Sequence, residues 1–93
     1  MAQLLTDEDI ARRLEGSGWT REGDEIVRER TFNDFAAAMV YVNRVAELAE
    51  EANHHPDILV HGWNKVKLSL TNHSAGGLTA VDFDMARRFD DAA

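Results

Sequence analysis

Pro56 is the only proline in the chain, and it follows directly on the longest run of helical periodicity, so it fixes where a helix ends and a loop begins. A proline ring cannot continue a helix, and it biases the residue before it, here His55, toward extended backbone. From Asn33 or Asp34 to about Ala52, the residues Phe35, Met39, Val42, Ala46 and Ala49 recur every three or four positions on one stripe, the pattern of an amphipathic helix. Asn53-His54-His55-Pro56-Asp57 is therefore a loop that holds two histidines just beyond a helix C-terminus.

The elements on either side follow from local signals. Thr6-Asp7-Glu8-Asp9 reads as a helix start, with Thr6 capping, Asp9 in the box position and Leu5 and Ile10 as a hydrophobic staple. Gly16-Ser17-Gly18 stops that helix, because glycine takes the left-handed conformation of a C-terminal cap without strain. Trp19-Thr20-Arg21, a Glu22-Gly23-Asp24 turn and the run Glu25 to Phe32 predict a hairpin, although Ile26-Val27 breaks strict alternation and leaves its facing open. Past the loop, Ile58 to Trp63 predicts one strand, and Val66, Leu68 and Leu70 alternate with polar residues in a half-buried second strand, with Asn64-Lys65 as the turn. Asn72-His73-Ser74-Ala75-Gly76-Gly77 is a loop. Thr79 then caps a last helix running to about Phe89, with Asp82 at the box position and Leu78 and Phe83 as its staple. Helix, two strands, helix, two strands, helix implies an α+β domain: an antiparallel sheet with helices packed on one face.

At 93 residues there is room for one domain, taken as 1–93, and a domain of that size buries only roughly 60% of its unfolded surface, which keeps oligomerisation open. The chain has no cysteine, so disulfides, thiolate metal sites and cysteine nucleophiles are excluded, and a reducing cytoplasm is the expected compartment. No basic and apolar leader opens the chain, and no apolar run approaches the roughly 20 residues of a membrane span. The formal charge of −7 repels a phosphate backbone, so direct nucleic-acid binding is not expected. Arg12-Arg13 and Arg87-Arg88 sit among acids as ordinary solvated faces.

Chemistry is thus left to oxygen and imidazole groups. Imidazole is the side chain whose unperturbed pKa lies near neutrality, so one histidine can give a proton while a neighbour accepts one. His54, His55 and His73 lie in loops, where they can equally be helix caps or polar loop residues; His61, inside a strand, reads as structural. Three histidines can also bind zinc, but adjacent His54 and His55 rarely point at one ion and no i, i+4 pair is present. Asp82 is explained by capping alone, although it can do both jobs. Glu50, one turn before His54, can hold an imidazole or simply face solvent. Trp63 reads as core or as a stacking surface for a flat ring, with size favouring core. Gly76-Gly77 lacks the lysine and hydroxyl residue of a phosphate loop and reads as a turn.

The set Glu50, His54-His55-Pro56, Trp63, His73 and Asp82, at these spacings, resembles the pterin-4a-carbinolamine dehydratases along nearly the whole chain. The resemblance implies an αββαββα domain with a four-stranded sheet, assembling through strands and helices into homodimers or homotetramers. It implies loss of water from a 4a-hydroxytetrahydropterin to give the quinonoid dihydropterin, a step that recycles the tetrahydrobiopterin-type cofactor of aromatic amino-acid hydroxylases and needs no added cofactor or metal. His54 and His73 would face the departing hydroxyl as acids and His55 would bind the pterin and act as base, with Glu50, Asn53, Pro56, Trp63, Asn72 and Asp82 lining the substrate. Asn53 stands where some relatives have Asp and Asn72 where Thr is common; Asn53 can hydrogen-bond a pterin edge but brings no negative charge to its neighbours. A non-catalytic dimerisation module on the same fold is the other reading, since animal relatives also partner a transcription factor.

Overall fold

The computed structural model describes residues 3–93 and runs α1 (Asp7–Leu14), β1 (Thr20–Glu22), β2 (Glu25–Thr31), α2 (Phe35–Ala52), β3 (Asp57–His61), β4 (Lys65–Leu70) and α3 (Ala80–Asp91). The order is the expected αββαββα. The four strands form one antiparallel sheet in the spatial order β1-β2-β4-β3. The second hairpin is thus inserted edge-on, placing β4 beside β2 and leaving β1 and β3 on the outside.

Capping chemistry sets the helix starts. Thr6 Oγ1 accepts from the Asp9 amide at 3.1 Å, although the Asp9 carboxylate turns to Arg12 at 3.3 Å and does not complete a box. Asp34 accepts from the Ala37 amide at 2.7 Å and opens α2. At the other end of α2, Asn53 adopts φ 51°, ψ 43°, and the His54 amide reaches back to the Ala49 carbonyl at 3.0 Å, a Schellman-type closure that asparagine tolerates well. α3 runs two residues beyond the expected Phe89, to Asp91.

One face of the sheet carries the core. Val66, Leu68 and Leu70 of β4 pack with Ile26 of β2 against Ile10 of α1, Val45 and Ala49 of α2, and Met85 and Phe89 of α3. The helices cover that face only. The break at Ile26-Val27 resolves as two burials on opposite sides: Ile26 lies beside Leu70 on the helix face, and Val27 lies on the other face between Thr20 and Ser69. Arg28 and Arg30 share the helix-facing side with Ile26, and both reach Asp90 of α3 at 3.2 and 3.1 Å. Trp19, 4% exposed, donates its indole N–H to the same carboxylate at 3.0 Å.

Three expectations are corrected. The buried stripe of α2 is Ala38, Tyr41, Val45 and Ala49, whereas Phe35 is 55% exposed and Ala46 is also exposed. This helix is apolar on two overlapping stripes, so periodicity does not choose between them; the sheet selects the one that seats Tyr41 against Phe32, with ring centroids 5.1 Å apart. The β3–β4 turn is Gly62-Trp63-Asn64, not Asn64-Lys65, because Lys65 already pairs with His61. Trp63 is not core: it is 61% exposed with a left-handed φ of 58°. None of the helices is long and apolar enough to cross a membrane among the described residues.

Candidate active site

Strand register decides which loops meet. Asp57, first in β3, pairs with Ser69, and Leu70, last in β4, pairs with Ile26 near the start of β2. The Asn53–Pro56 loop entering β3, the Thr71–Gly77 segment leaving β4 and the β1–β2 turn therefore lie at one end of the sheet. Thr71 Oγ1 ties the last two together by donating to the Asp24 carbonyl at 2.6 Å.

Two histidines of the loop are each held by a carboxylate. His54, its side chain 13% exposed, sets Nε2 against Asp82 Oδ1 at 2.6 Å, and Asp82 is fully buried. The second oxygen of Asp82 accepts from the Thr79 amide at 2.9 Å and from its hydroxyl at 3.4 Å. The expected box residue of α3 is thus also the partner of a loop histidine. An ionised carboxylate only accepts, so His54 Nε2 carries the hydrogen and Nδ1 is the nitrogen left for other chemistry. Glu50, one turn back on α2, holds His55 Nε2 in the same way, at a more open position with the His55 side chain 54% exposed.

His73 lies in a hollow of about 310 Å³ lined by Asp24, Glu25, Thr71, Asn72, Gly76 and Gly77. Asn72 shapes this segment from within: its Oδ1 accepts from the Ala75 amide at 3.1 Å, and its backbone pairs with Gly77. Gly76, at φ 80°, makes the bend that glycine accepts most readily. The carboxylates of Asp24 and Glu25 were not singled out in the sequence. Their place beside His73 depends on β2 being the neighbour of β4, and no local motif carries that information.

The structure thus gathers Glu50, Asn53, His54, His55, Pro56 and Asp82 around one loop, with Asn72 and His73 on a second loop at the same sheet end. Trp63 is not brought to them within one chain. It turns the opposite end of the β3–β4 hairpin, the far side of a five-residue strand, or about 15 Å away. His61 is engaged by Glu29 across the open sheet face, in keeping with a structural role.

Comparison with known proteins covers nearly the whole chain. The family described as pterin 4 alpha carbinolamine dehydratase matches residues 3–92. The chain belongs to that family. Among its curated dehydratase relatives, a Nostoc sp. protein provisionally named pterin-4-alpha-carbinolamine dehydratase is 52% identical over 87 residues, 92% of each chain. A Nocardia farcinica protein with the same provisional name is 51% identical over 92 residues, covering 98% of this chain and 96% of its own. The solved structure described as a transcriptional coactivator/pterin dehydratase from Brucella melitensis superposes with a TM-score of 0.91 at 31% identity, covering 98% of this chain and 99% of that one. A pterin dehydratase-like RuBisCO assembly factor of the alpha-carboxysome shares the fold, at a TM-score of 0.66 and 22% identity over 81% of this chain and 86% of that one.

Proposed function

We propose that this protein dehydrates a 4a-hydroxytetrahydropterin to the quinonoid dihydropterin, recycling a tetrahydrobiopterin-type cofactor. The observation that carries the reading is the pair of carboxylate–imidazole couples, Asp82 with His54 and Glu50 with His55, at the sheet end that also holds His73. In the reaction the bond from C4a to its hydroxyl breaks, a proton joins the departing oxygen to make water, and the neighbouring ring nitrogen gives up its proton. Two acids and a base on facing loops suit that exchange. His54 and His73 deliver the proton to the hydroxyl and His55 takes the ring proton, while Asn53, Pro56 and Asn72 border the substrate. Protonation and deprotonation by these side chains are sufficient for the step, so the residues demand no resident cofactor. A cysteine-free chain suits the cytoplasm.

We also read the working form as a homodimer or homotetramer. Phe35 and Ala46 of α2 lie exposed on the apolar stripe that the core does not use, and Leu59 of β3 is 53% exposed on an outer strand. Apolar residues so placed are common at subunit contacts.

The direct test is an assay on chemically prepared 4a-hydroxytetrahydropterin. Wild-type protein accelerates dehydration over buffer, and H55A loses about 100-fold or more of that rate, the usual contribution of an acid–base group. No acceleration by the wild-type protein would instead support a non-catalytic interaction module.

A further inference from the structure

Trp63 and His55 sit at opposite ends of β3, and both are open to solvent. β3 is an outer strand with the sequence DILVH. It lacks the proline or lysine that commonly blunts an edge, so its outward backbone groups are free to pair. A second copy of the chain fits this edge on symmetry and charge. Two copies related by a two-fold axis pair their β3 strands antiparallel, each residue facing its counterpart across the axis. Only a register centred on Leu59 pairs the strand over its full length. Leu59 then meets the partner's Leu59, Ile58 meets the partner's Val60, and Asp57 meets the partner's His61, so that apolar faces apolar and carboxylate faces imidazole. The same register brings the turn that carries Trp63, just past one strand end, to the end of the pair where the partner's Asn53–Pro56 loop enters its own β3, so that Trp63 and the partner's His55 come to the same edge.

We propose that Trp63 completes the active site of the neighbouring subunit, crossing two β3 edges paired around Leu59 to stack on the flat ring held beside His55. The assignment rests on the dehydratase reading for its substrate, but its geometry follows from β3 alone. It accounts for a large aromatic residue kept on an exposed turn in left-handed backbone, far from every histidine of its own site.

Mixed-subunit kinetics and a crosslink test it together. H55A and W63A homo-oligomers are each weakened, W63A by about tenfold as expected for loss of ring stacking. After the two are unfolded and refolded together in equal amounts, a hybrid pair holds one site with both His55 and Trp63, and activity recovers toward about a quarter of wild type for random pairing. No recovery on mixing, with the wild type active, overturns the proposal. In a chain without cysteine, L59C supplies a single thiol on the axis, where facing Cα atoms stand about 4.5–5.5 Å apart and a disulfide can close. Oxidation is expected to give a covalent dimer from L59C and little from E8C, exposed on α1; failure of L59C to crosslink overturns the register. A wild-type protein that fails to dehydrate the substrate while L59C crosslinks overturns the dehydratase reading and leaves the paired edges standing.

Discussion

Asp82 joins two jobs that are usually separate: it closes the first turn of α3 through Thr79 and it fixes His54. In D82N the amide can satisfy only part of this, because its NH2 end must face either the Thr79 amide or the His54 N–H, both donors. The expected result is a kcat lower by about 10- to 100-fold with little change in KM, and a stability loss of about 1 kcal/mol from the impaired cap. Steady-state kinetics and thermal melts read the two effects, and a wild-type kcat would reduce Asp82 to a helix cap. Trp63 makes the opposite trade. An L-residue in left-handed backbone costs about 1 kcal/mol, so W63G is expected to raise Tm by about 4–8 °C, the usual shift per kcal/mol for a domain of this size, while lowering kcat/KM. A Tm that stays put or falls would show that the indole stabilises its own turn. The caps Thr6 and Thr79 and the loop at Pro56 were legible in the sequence because each is decided within four residues. The partner of His54 was not, since Asp82 lies 28 positions away and its helix-capping role already explained it.

Between elements, the contact of α2 with α3 rests on Tyr41, whose hydroxyl donates to the Phe89 carbonyl at 3.0 Å. That carbonyl is among the last four of α3, which have no donor within the helix. Burial, opposed by the nearby Arg30 guanidinium, raises the Tyr41 pKa above the ordinary phenol value of 10.0. With the folded pKa above the unfolded one, the contribution of Tyr41 is fully present below pH 10 and is lost as pH rises through the folded value. Y41F is expected to cost about 1 kcal/mol near neutrality and to flatten the alkaline limb of stability against pH. Denaturant titrations from pH 8 to 11 measure both, and an unchanged alkaline slope in Y41F would place that limb elsewhere. Element existence was legible throughout. The working face of α2 was not, because two apolar stripes satisfy the same period, and the β3–β4 turn slipped because two successive residues with positive φ, Gly62 and Trp63, left the strand sooner than composition suggested.

For the whole molecule, the strand order β1-β2-β4-β3 is what unites the site, and it is the feature least available to local reading: pairing of β2 with β4 spans the entire length of α2. Local signals carried the element order and the α+β layering, and the resemblance implied a four-stranded sheet, but neither carried the order of its strands. The same order leaves β3 outside, where the proposed assembly pairs it. Light scattering is expected to give a multiple of the 10.4 kDa chain, and L59K, which places a cation on the two-fold axis, is expected to lower that mass with the circular dichroism unchanged. A wild-type mass of one chain would remove the assembly altogether.

Asp90 gathers Trp19, Arg28 and Arg30 on a single carboxylate, which bears on how this sequence can drift over generations. Losing the acid alone leaves two partly buried guanidinium groups facing each other, at about 2 kcal/mol or more out of the ~5–15 kcal/mol that keeps a domain folded. Losing either base alone is milder, since the other still holds the acid. Descendants can therefore shed one arginine more readily than the aspartate, so the history of these three positions has a preferred direction.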